Sequence, residues 1–538
     1  MFPQKFSTTR TVIRTAVVGV VTAVVLCFLA PPFSVSAAPD SKERRQAAKA
    51  LREGEYEDAE KRYRELLAKD SQDHSARLGL SFALLKQRML QDAYDHAARV
   101  VLADPLSARA HSLLGSAILA SGDFRNSVEE FRTALTLQGN DSLAVAGLAM
   151  VDFYENRLDS SIRGLRRAVA IEPDEPDYIF QLGQATARSE RYKEAADAYE
   201  RFLIIAPKTD SERRDRIRGL IDFLRYLGNQ VSLYGVGGKT RTEQSFEAID
   251  GRPVLKVRVN GAKEPLRFVL DTGSGMSVIS EATAKKLGVR PVARGGLARA
   301  VGGGGKFEIV YGFLSSIEVG DVKVERVPVY IRHFFEAKVP VDGYLGLSVI
   351  SNFIATVDYG DNTFSLVRNA ESSLTQQGFK LLLEPRTQRE VIEIPVRTTA
   401  SGFLTGELSV EGVERPQNFI IDTGASISVI SEKLAETDEM AGYLQKTRMR
   451  VFGAAGVAED VKLMLLPRVT FGPLVRENIS AAVLDLEPLN ETAGFSQDGI
   501  LGANFLRYFR VAFDFQRGVI RLEPLAQTAR DAGAPKQF

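Results

Sequence analysis

The sequence predicts a chain of several domains, an all-α solenoid followed by two all-β barrels of one kind. Three observations carry that expectation. Between residues 41 and 209, small residues and prolines return every 34 positions, a period that marks stacked helix pairs. Beyond about residue 250, apolar and polar residues alternate in short runs bounded by turn residues, the pattern of strands. Within that later stretch a single set of landmarks occurs twice, first at an offset of 151 positions and then at 156.

At the start, Lys5, Arg10 and Arg14 precede an apolar run from Ala16 to Ala30, and Val35-Ser36-Ala37 supplies small residues for cleavage. Residues 1–37 therefore read as a secretory signal, with a mature start near Ala38. The run of 15 residues is short of the roughly 20 that cross a bilayer as a helix. An uncleaved anchor, and with it any membrane contact, is the lesser alternative. Cys27, the only cysteine, lies inside this run after Leu26, where a lipoprotein signal would favour a small residue. The mature chain should hold no disulfide, so its stability must come from its cores. The expected location is outside the cytoplasm, with the bacterial periplasm favoured. On a eukaryotic secretory route Asn140, Asn478 and Asn490 would be glycosylation candidates.

The repeat has three 34-residue ladders: Ser71, Pro105, Gly139, Pro173 and Pro207; Ala47, Ser81, Gly115, Ala149 and Gly183; Ala59, Ala93, Ser127, Ser161 and Ala195. Small residues at fixed steps let helices approach closely. The ladders, with Leu51 to Ala59 as the clearest first unit and Ser189 to Ala195 as the fifth, resemble the tetratricopeptide repeat (TPR). The resemblance implies five helix-turn-helix units from Ser41 to Thr209 and a capping helix from Ser211 to Leu227, a domain over 41–228. It also implies a concave groove for a protein partner; a plain spacer remains the alternative. His74 and His111 fall within repeat helices, where packing is their expected role.

Residues 229–250 read as a linker, since Gly235-Val236-Gly237-Gly238 lacks the lysine and hydroxyl of a phosphate loop. A first half over 251–370 opens with alternating Val254 to Val259, a turn at Asn260-Gly261, and a return along Leu266 to Leu270. A bridge over 371–389 leads to a second half over 390–525, which opens with Val391 to Val396 and Leu404 to Val410. Residues 526–538 read as a loose tail.

The duplicated landmarks hold the chemistry. Phe268-Val269-Leu270 runs into Asp271-Thr272-Gly273, and Phe419-Ile420-Ile421 runs into Asp422-Thr423-Gly424. Each triplet continues into a small residue and an apolar stretch, Ser274 to Ser280 and Ala425 to Ser431. One such triplet alone would read as an Asx turn closing a hairpin. Three further matches make the duplication. Val301 to Gly305 falls on Phe452 to Gly456 at 151, Asp342-Gly343-Tyr344-Leu345-Gly346 on Asp498-Gly499-Ile500-Leu501-Gly502 at 156, and Val357-Asp358-Tyr359 on Phe513-Asp514-Phe515 at 156. The five residues gained by the second half fit in loops.

This order of Asp-Thr-Gly, glycine-rich tip and paired apolar residues before Gly resembles the retropepsin-like aspartic proteases over residues 250 to 525, with two retropepsin-sized halves fused in one chain as in pepsins. The resemblance implies that Asp271 and Asp422 form a catalytic dyad. Two carboxyls held that close share one proton, so one accepts a proton from water while the other polarises the scissile carbonyl. Gly273 and Gly424 would allow a sharp turn after each strand. Thr272 and Thr423, stiff and carrying hydroxyls, would interlock the loops. Ser274 could donate to the outer oxygen of Asp271, whereas Ala425 offers Asp422 no side-chain donor, so a slight asymmetry is expected. Gly302, Gly303, Gly304, Gly305, Gly453 and Gly456 would form flaps over bound peptide, an unstructured loop being the alternative for the first of them. Leu345, Gly346, Leu501 and Gly502 would pack behind the acidic loops.

Composition narrows the rest. Net charge is +1, from 69 Lys plus Arg against 68 Asp plus Glu, so no global field points to nucleic acid. Four His and one Cys make no zinc cluster, and the expected chemistry needs no cofactor. His333, in Arg332-His333-Phe334-Phe335, reads as a surface or packed residue. The expected activity is that of an exported aspartic endopeptidase acting on polypeptide, with the repeats recruiting a substrate or partner. Two alternatives stay open: a non-enzymatic peptide-binding adaptor, and a dyad formed between two chains.

Overall fold

The computed structural model describes residues 42–209, 211–303, 306–335, 340–368 and 391–525. The expected signal at 1–37, bridge at 371–389, tail at 526–538, and Gly304 and Gly305 lie outside the described residues. Among the described residues two compact units share the chain, one within Met1–Asp152, Leu158–Ala185 and Arg201–Ser211, the other within Phe153–Arg157, Thr186–Glu200 and Glu212–Phe538.

The repeats form helix pairs joined by short turns, from Lys42–Glu53 with Tyr56–Lys69 through Pro176–Arg188 with Tyr192–Ile205, followed by the single helix Ser211–Gly228. The ladders of small residues are interior, Ala47, Ala59, Ala93, Ser127, Ser161 and Ala195 all being buried. At one of these steps the reason is direct: a Cβ on Gly115 would overlap the Phe131 ring, and the neighbouring Gly79 and Gly147 likewise leave no room for one beside Tyr63 and Phe131. Asp73, Ser107 and Asp123 start helices by accepting from the backbone N–H three residues on. Within this unit Lys86 reaches across to Glu175 at 3.0 Å and Asp177 at 2.5 Å, so an ion-pair cluster ties the second repeat to the fifth. None of the described helices is long and apolar enough to cross a membrane.

The second unit holds three sheets, of nine, six and eight strands among the described residues. In the first half Arg252–Val259 turns back through Asn260 (φ 54°) and Gly261 (φ 70°) into Leu266–Leu270, the left-handed pair that a tight hairpin favours. Leu266–Leu270 lies parallel to Gly343–Leu345, which is antiparallel to Val278–Ser280, itself parallel to Val322–Arg332. The second half repeats this with Gln417–Ile421, Gly499–Leu501, Ser428–Ser431 and Leu474–Leu484. A further pairing in each, of Lys306–Val319 with Val322–Arg332 and of Leu404–Val410 with Gly456–Phe471, closes the sheet into a barrel.

The six-stranded sheet joins the halves. Its central strands, Phe353–Asp358 and Phe509–Asp514, pair antiparallel with Thr356 directly opposite Ala512 and Asp358 opposite Arg510. The offset of 156 maps Thr356 onto Ala512, so the internal twofold passes through this pair. Strands Thr363–Arg368 and Val519–Pro524 flank them, with Arg241–Ser245 and Ile392–Pro395 at the two edges.

Edge strands in two of the sheets correct the expected linker at 229–250. Gly235–Gly238 pairs antiparallel with Val322 to Glu325, and Arg241–Ser245 pairs with Val367 to Thr363. Neither segment has a regular apolar face; in Arg241–Ser245 only Thr242 is buried. Backbone pairing at a sheet edge holds them, and that leaves little trace in side-chain pattern.

Candidate active site

Both Asp-Thr-Gly loops are fixed from behind by backbone bonds. The Asp271 N–H donates to the Leu345 carbonyl and the Asp422 N–H to the Leu501 carbonyl, each at 3.0 Å. Gly346 and Gly502 follow, and a Cβ on either would overlap backbone atoms of the acidic loop, at Ser274 and Met276 or at Ala425 and Ile427. Leu347 and Ala503 close the arrangement by donating to the carbonyls of Ser274 and Ala425 at 2.8 Å. The four residues expected behind the loops are in that position.

The loops interlock through their threonines, both fully buried. Thr272 Oγ1 donates to the Ile421 carbonyl at 2.7 Å and accepts from the Thr423 N–H at 3.0 Å. Thr423 Oγ1 does the reverse, donating to Leu270 at 2.7 Å and accepting from Thr272 N–H at 3.2 Å. Each hydroxyl uses one donor and one acceptor across the internal axis.

This lock brings Asp271 and Asp422 within hydrogen-bonding reach of each other. Gly273 and Gly424 have a different role from the one expected. Neither has a positive φ; instead, a Cβ on Gly273 would overlap the Asp422 carboxyl, and one on Gly424 would crowd Asp271. The glycines make room for the opposite acid. Ser274 also departs from expectation, since its Oγ donates to the Met276 carbonyl at 2.7 Å and stabilises its own turn.

The asymmetry of the dyad runs the other way. Asp422 Oδ1 accepts from the backbone N–H of Gly424 at 2.7 Å and of Ala425 at 3.2 Å, while Asp271 Oδ1 has only the Gly273 N–H, at 3.0 Å. Both acids are half-buried. Burial raises both pKa values; for Asp271 the Asp422 charge and hydrogen bond add to it, lifting it well above the ordinary carboxylate range. For Asp422 the N–H donors oppose the rise. The pair shares one proton, and the additional N–H donor favours the charge on Asp422.

Two hairpins correspond to the expected flaps, and Val301 and Val451 from them pack in one apolar cluster with Ala425 and Ile427 of the second acidic loop. Ala293–Arg299 with Lys306–Val319 makes the first flap and Leu444–Gly453 with Gly456–Phe471 the second. Their tips touch: Gly302 has no space for a Cβ beside Gly453, nor Gly303 beside Gly456. Gly302 (φ 80°), Gly303 (φ 92°) and Gly456 (φ 139°) turn the chain in the region that glycine favours. The flaps differ in support. Phe223 of the helix Ser211–Gly228 stacks on Tyr311 at 4.2 Å, Tyr226 meets Phe313, and Gly219 lies directly on the backbone of Arg294 and Gly295. Leu444–Gly453 is mostly exposed. Amide exchange should therefore be at least about tenfold faster in Leu444–Gly453 than in Ala293–Arg299; equal rates would refute unequal support.

Sequence reasoning missed Arg332, at the end of its barrel strand. Its guanidinium lies 3.6 Å from the Phe307 ring centroid and donates to the Ala454 carbonyl at the second flap tip. His333 is 70% exposed, 3.7 Å from Glu281.

Comparison with known proteins agrees with this geometry. Residues 255–349 and 407–505 match the family described as Aspartyl protease, and residues 50–117 and 147–209 match Tetratricopeptide repeat. The chain carries a retropepsin-like aspartyl protease domain in two halves behind TPR repeats. One curated relative, anaphase-promoting complex subunit 3 of Schizosaccharomyces pombe, is 28% identical over 123 residues, which is 23% of this chain and 18% of that protein. The match thus spans under a fifth of that relative's length. Among solved structures, a thermophilic TPR protein of Thermus thermophilus aligns at 20% identity over 33% of this chain and 97% of its own (TM-score 0.30). An aspartic proteinase of Irpex lacteus aligns at 14% identity over 53% and 98% (TM-score 0.35). The TPR repeats go with a protein-interaction role and the protease domain with a polypeptide substrate.

Proposed function

We propose that this chain is an exported aspartic endopeptidase that hydrolyses peptide bonds with one water activated between Asp271 and Asp422. The observation that carries the reading is the threonine interlock that sets the two carboxyls face to face. Asp422, with two N–H donors on one oxygen, takes a proton from the water. The hydroxyl adds to the scissile carbonyl carbon, and the Asp271 proton passes to the carbonyl oxygen. Asp422 then gives its proton to the amide nitrogen as the C–N bond breaks, and the diol returns a proton to Asp271. The acids end as they began. The flaps enclose an extended peptide and exclude bulk water.

Export rests on the basic, apolar and small-residue segments of residues 1–37. The repeats would bring a substrate protein or a partner to the cleft. To test the reading, the mature chain is incubated with a peptide library, with and without a statine-type inhibitor. Cleavage blocked by one inhibitor per chain, at a rate proportional to enzyme concentration, is expected for a dyad completed within one chain. Cleavage that ignores the inhibitor would reject it.

A further inference from the structure

The two sides of the cleft are built from equivalent positions that carry opposite chemistry. Ser280 pairs with Arg332 in the first half, and Ser431 pairs with Leu484 in the second. The two serines are related by the offset of 151, so Arg332 and Leu484 occupy one place in the two barrels. By the same register Tyr344, beside Val269, corresponds to Ile500, beside Ile420. Tyr330 likewise corresponds to Ala482.

In the second half these positions belong to an aliphatic cluster. Leu484, Ile500 and Ala482 pack with Val429, Leu486 and Leu489, and Ala425, Ile427, Phe403 and Val451 border it. The wall beside Asp422 is therefore apolar. In the first half the wall is aromatic and cationic. Tyr344 senses the charge of Asp271, its hydroxyl held above the ordinary phenol value by burial and then by that acid, and Phe334 meets its ring at 5.1 Å.

Arg332 stands in this wall under both flaps. Burial lowers its pKa, and no carboxylate offsets its charge among the described residues. Its contacts are the Phe307 ring and the Ala454 carbonyl at the second flap tip. A half-buried guanidinium with five donors and one flap carbonyl is poised for a charged acceptor.

Resting on the proposed peptidase reading, we infer that Arg332 is a specificity residue: it binds a side-chain carboxylate of the substrate on the Asp271 side of the scissile bond, while the Leu484 side takes an aliphatic residue. The carboxylate replaces the Ala454 carbonyl on Arg332. Peptide binding and release of the second flap tip are then one event.

The test uses capped octapeptides with Leu-Phe at the centre, Glu scanned through every other position in one set and Gln in a second. Affinities are measured by fluorescence anisotropy on the full chain carrying Asp422→Asn, which binds without turnover. At one position Glu should bind about tenfold tighter than Gln. Arg332→Leu should collapse that ratio to about one, and Arg332→Lys should keep some of it. Equal affinities at every position, or a ratio that survives in Arg332→Leu, would overturn the inference. Hydrolysis of the same peptides by the chain with both acids intact is scored separately. Absence of cleavage there, with the Glu preference present, would reject the peptidase reading and leave the recognition standing.

Discussion

Asp271→Asn and Asp422→Asn each lower peptide hydrolysis by roughly three orders of magnitude, the scale expected when a positioned acid or base is lost, and each leaves the fold intact. Asparagine keeps the shape and the hydrogen bonds from Gly273, or from Gly424 and Ala425. It removes the ability to exchange a proton with water. The double variant should be no worse than the weaker single one, because one water needs both carboxyls and the first loss already disables the pair. Undiminished turnover in either variant would eliminate the dyad.

The same substitutions carry a pH signature. Asp271 and Asp422 both titrate above the ordinary carboxylate value in the folded chain, with burial the main cause. Between the unfolded and folded values the native state holds more protons than the unfolded one. The stabilisation from that uptake is complete below the unfolded value and is lost as pH rises through the folded value. Either Asn variant should therefore melt higher than the parent at neutral pH, and the gain should vanish in acid. Hydrolysis should follow a bell, falling in acid as Asp422 takes a proton and falling at higher pH as Asp271 loses its own. A neutral-pH melting point lowered by Asp271→Asn would contradict the buried, like-charged pair.

Legibility in the sequence followed the physical source of each feature. The acids, the threonines, and Leu345-Gly346 with Leu501-Gly502 stand in order because each is duplicated, and duplication converts a weak tripeptide into a pattern. The repeat ladders are readable because close helix approach restricts side-chain size at fixed steps, as at Gly115 against Phe131. Features held by backbone alone are not readable. Arg241–Ser245 pairs as an edge strand with a polar sequence, and the turn at Ser274 takes the hydroxyl expected on Asp271. Arg332 escapes because its meaning lies in a comparison with Leu484 that only strand register supplies.

Thr272→Val should destabilise the chain by about 2–6 kcal/mol, since it leaves one buried carbonyl and one buried N–H unpaired at roughly 1–3 kcal/mol each. Valine keeps the branched shape, so packing loss is minor. The groups abandoned are the Ile421 carbonyl and the Thr423 N–H; in Thr423→Val they are the Leu270 carbonyl and the Thr272 N–H. Thr272→Ser retains both bonds and should cost far less, which separates the hydroxyl from the methyl. The double valine variant should fall short of the sum of the two singles by more than about 0.5 kcal/mol. Once one loop loosens, the bonds made by the other are already weakened, and contacting residues in one network couple in this way. Urea unfolding of the four chains measures the coupling. Strict additivity would mean that the threonines act as two separate anchors, and the carboxyls would then lack the shared clamp that holds them close enough to divide one proton.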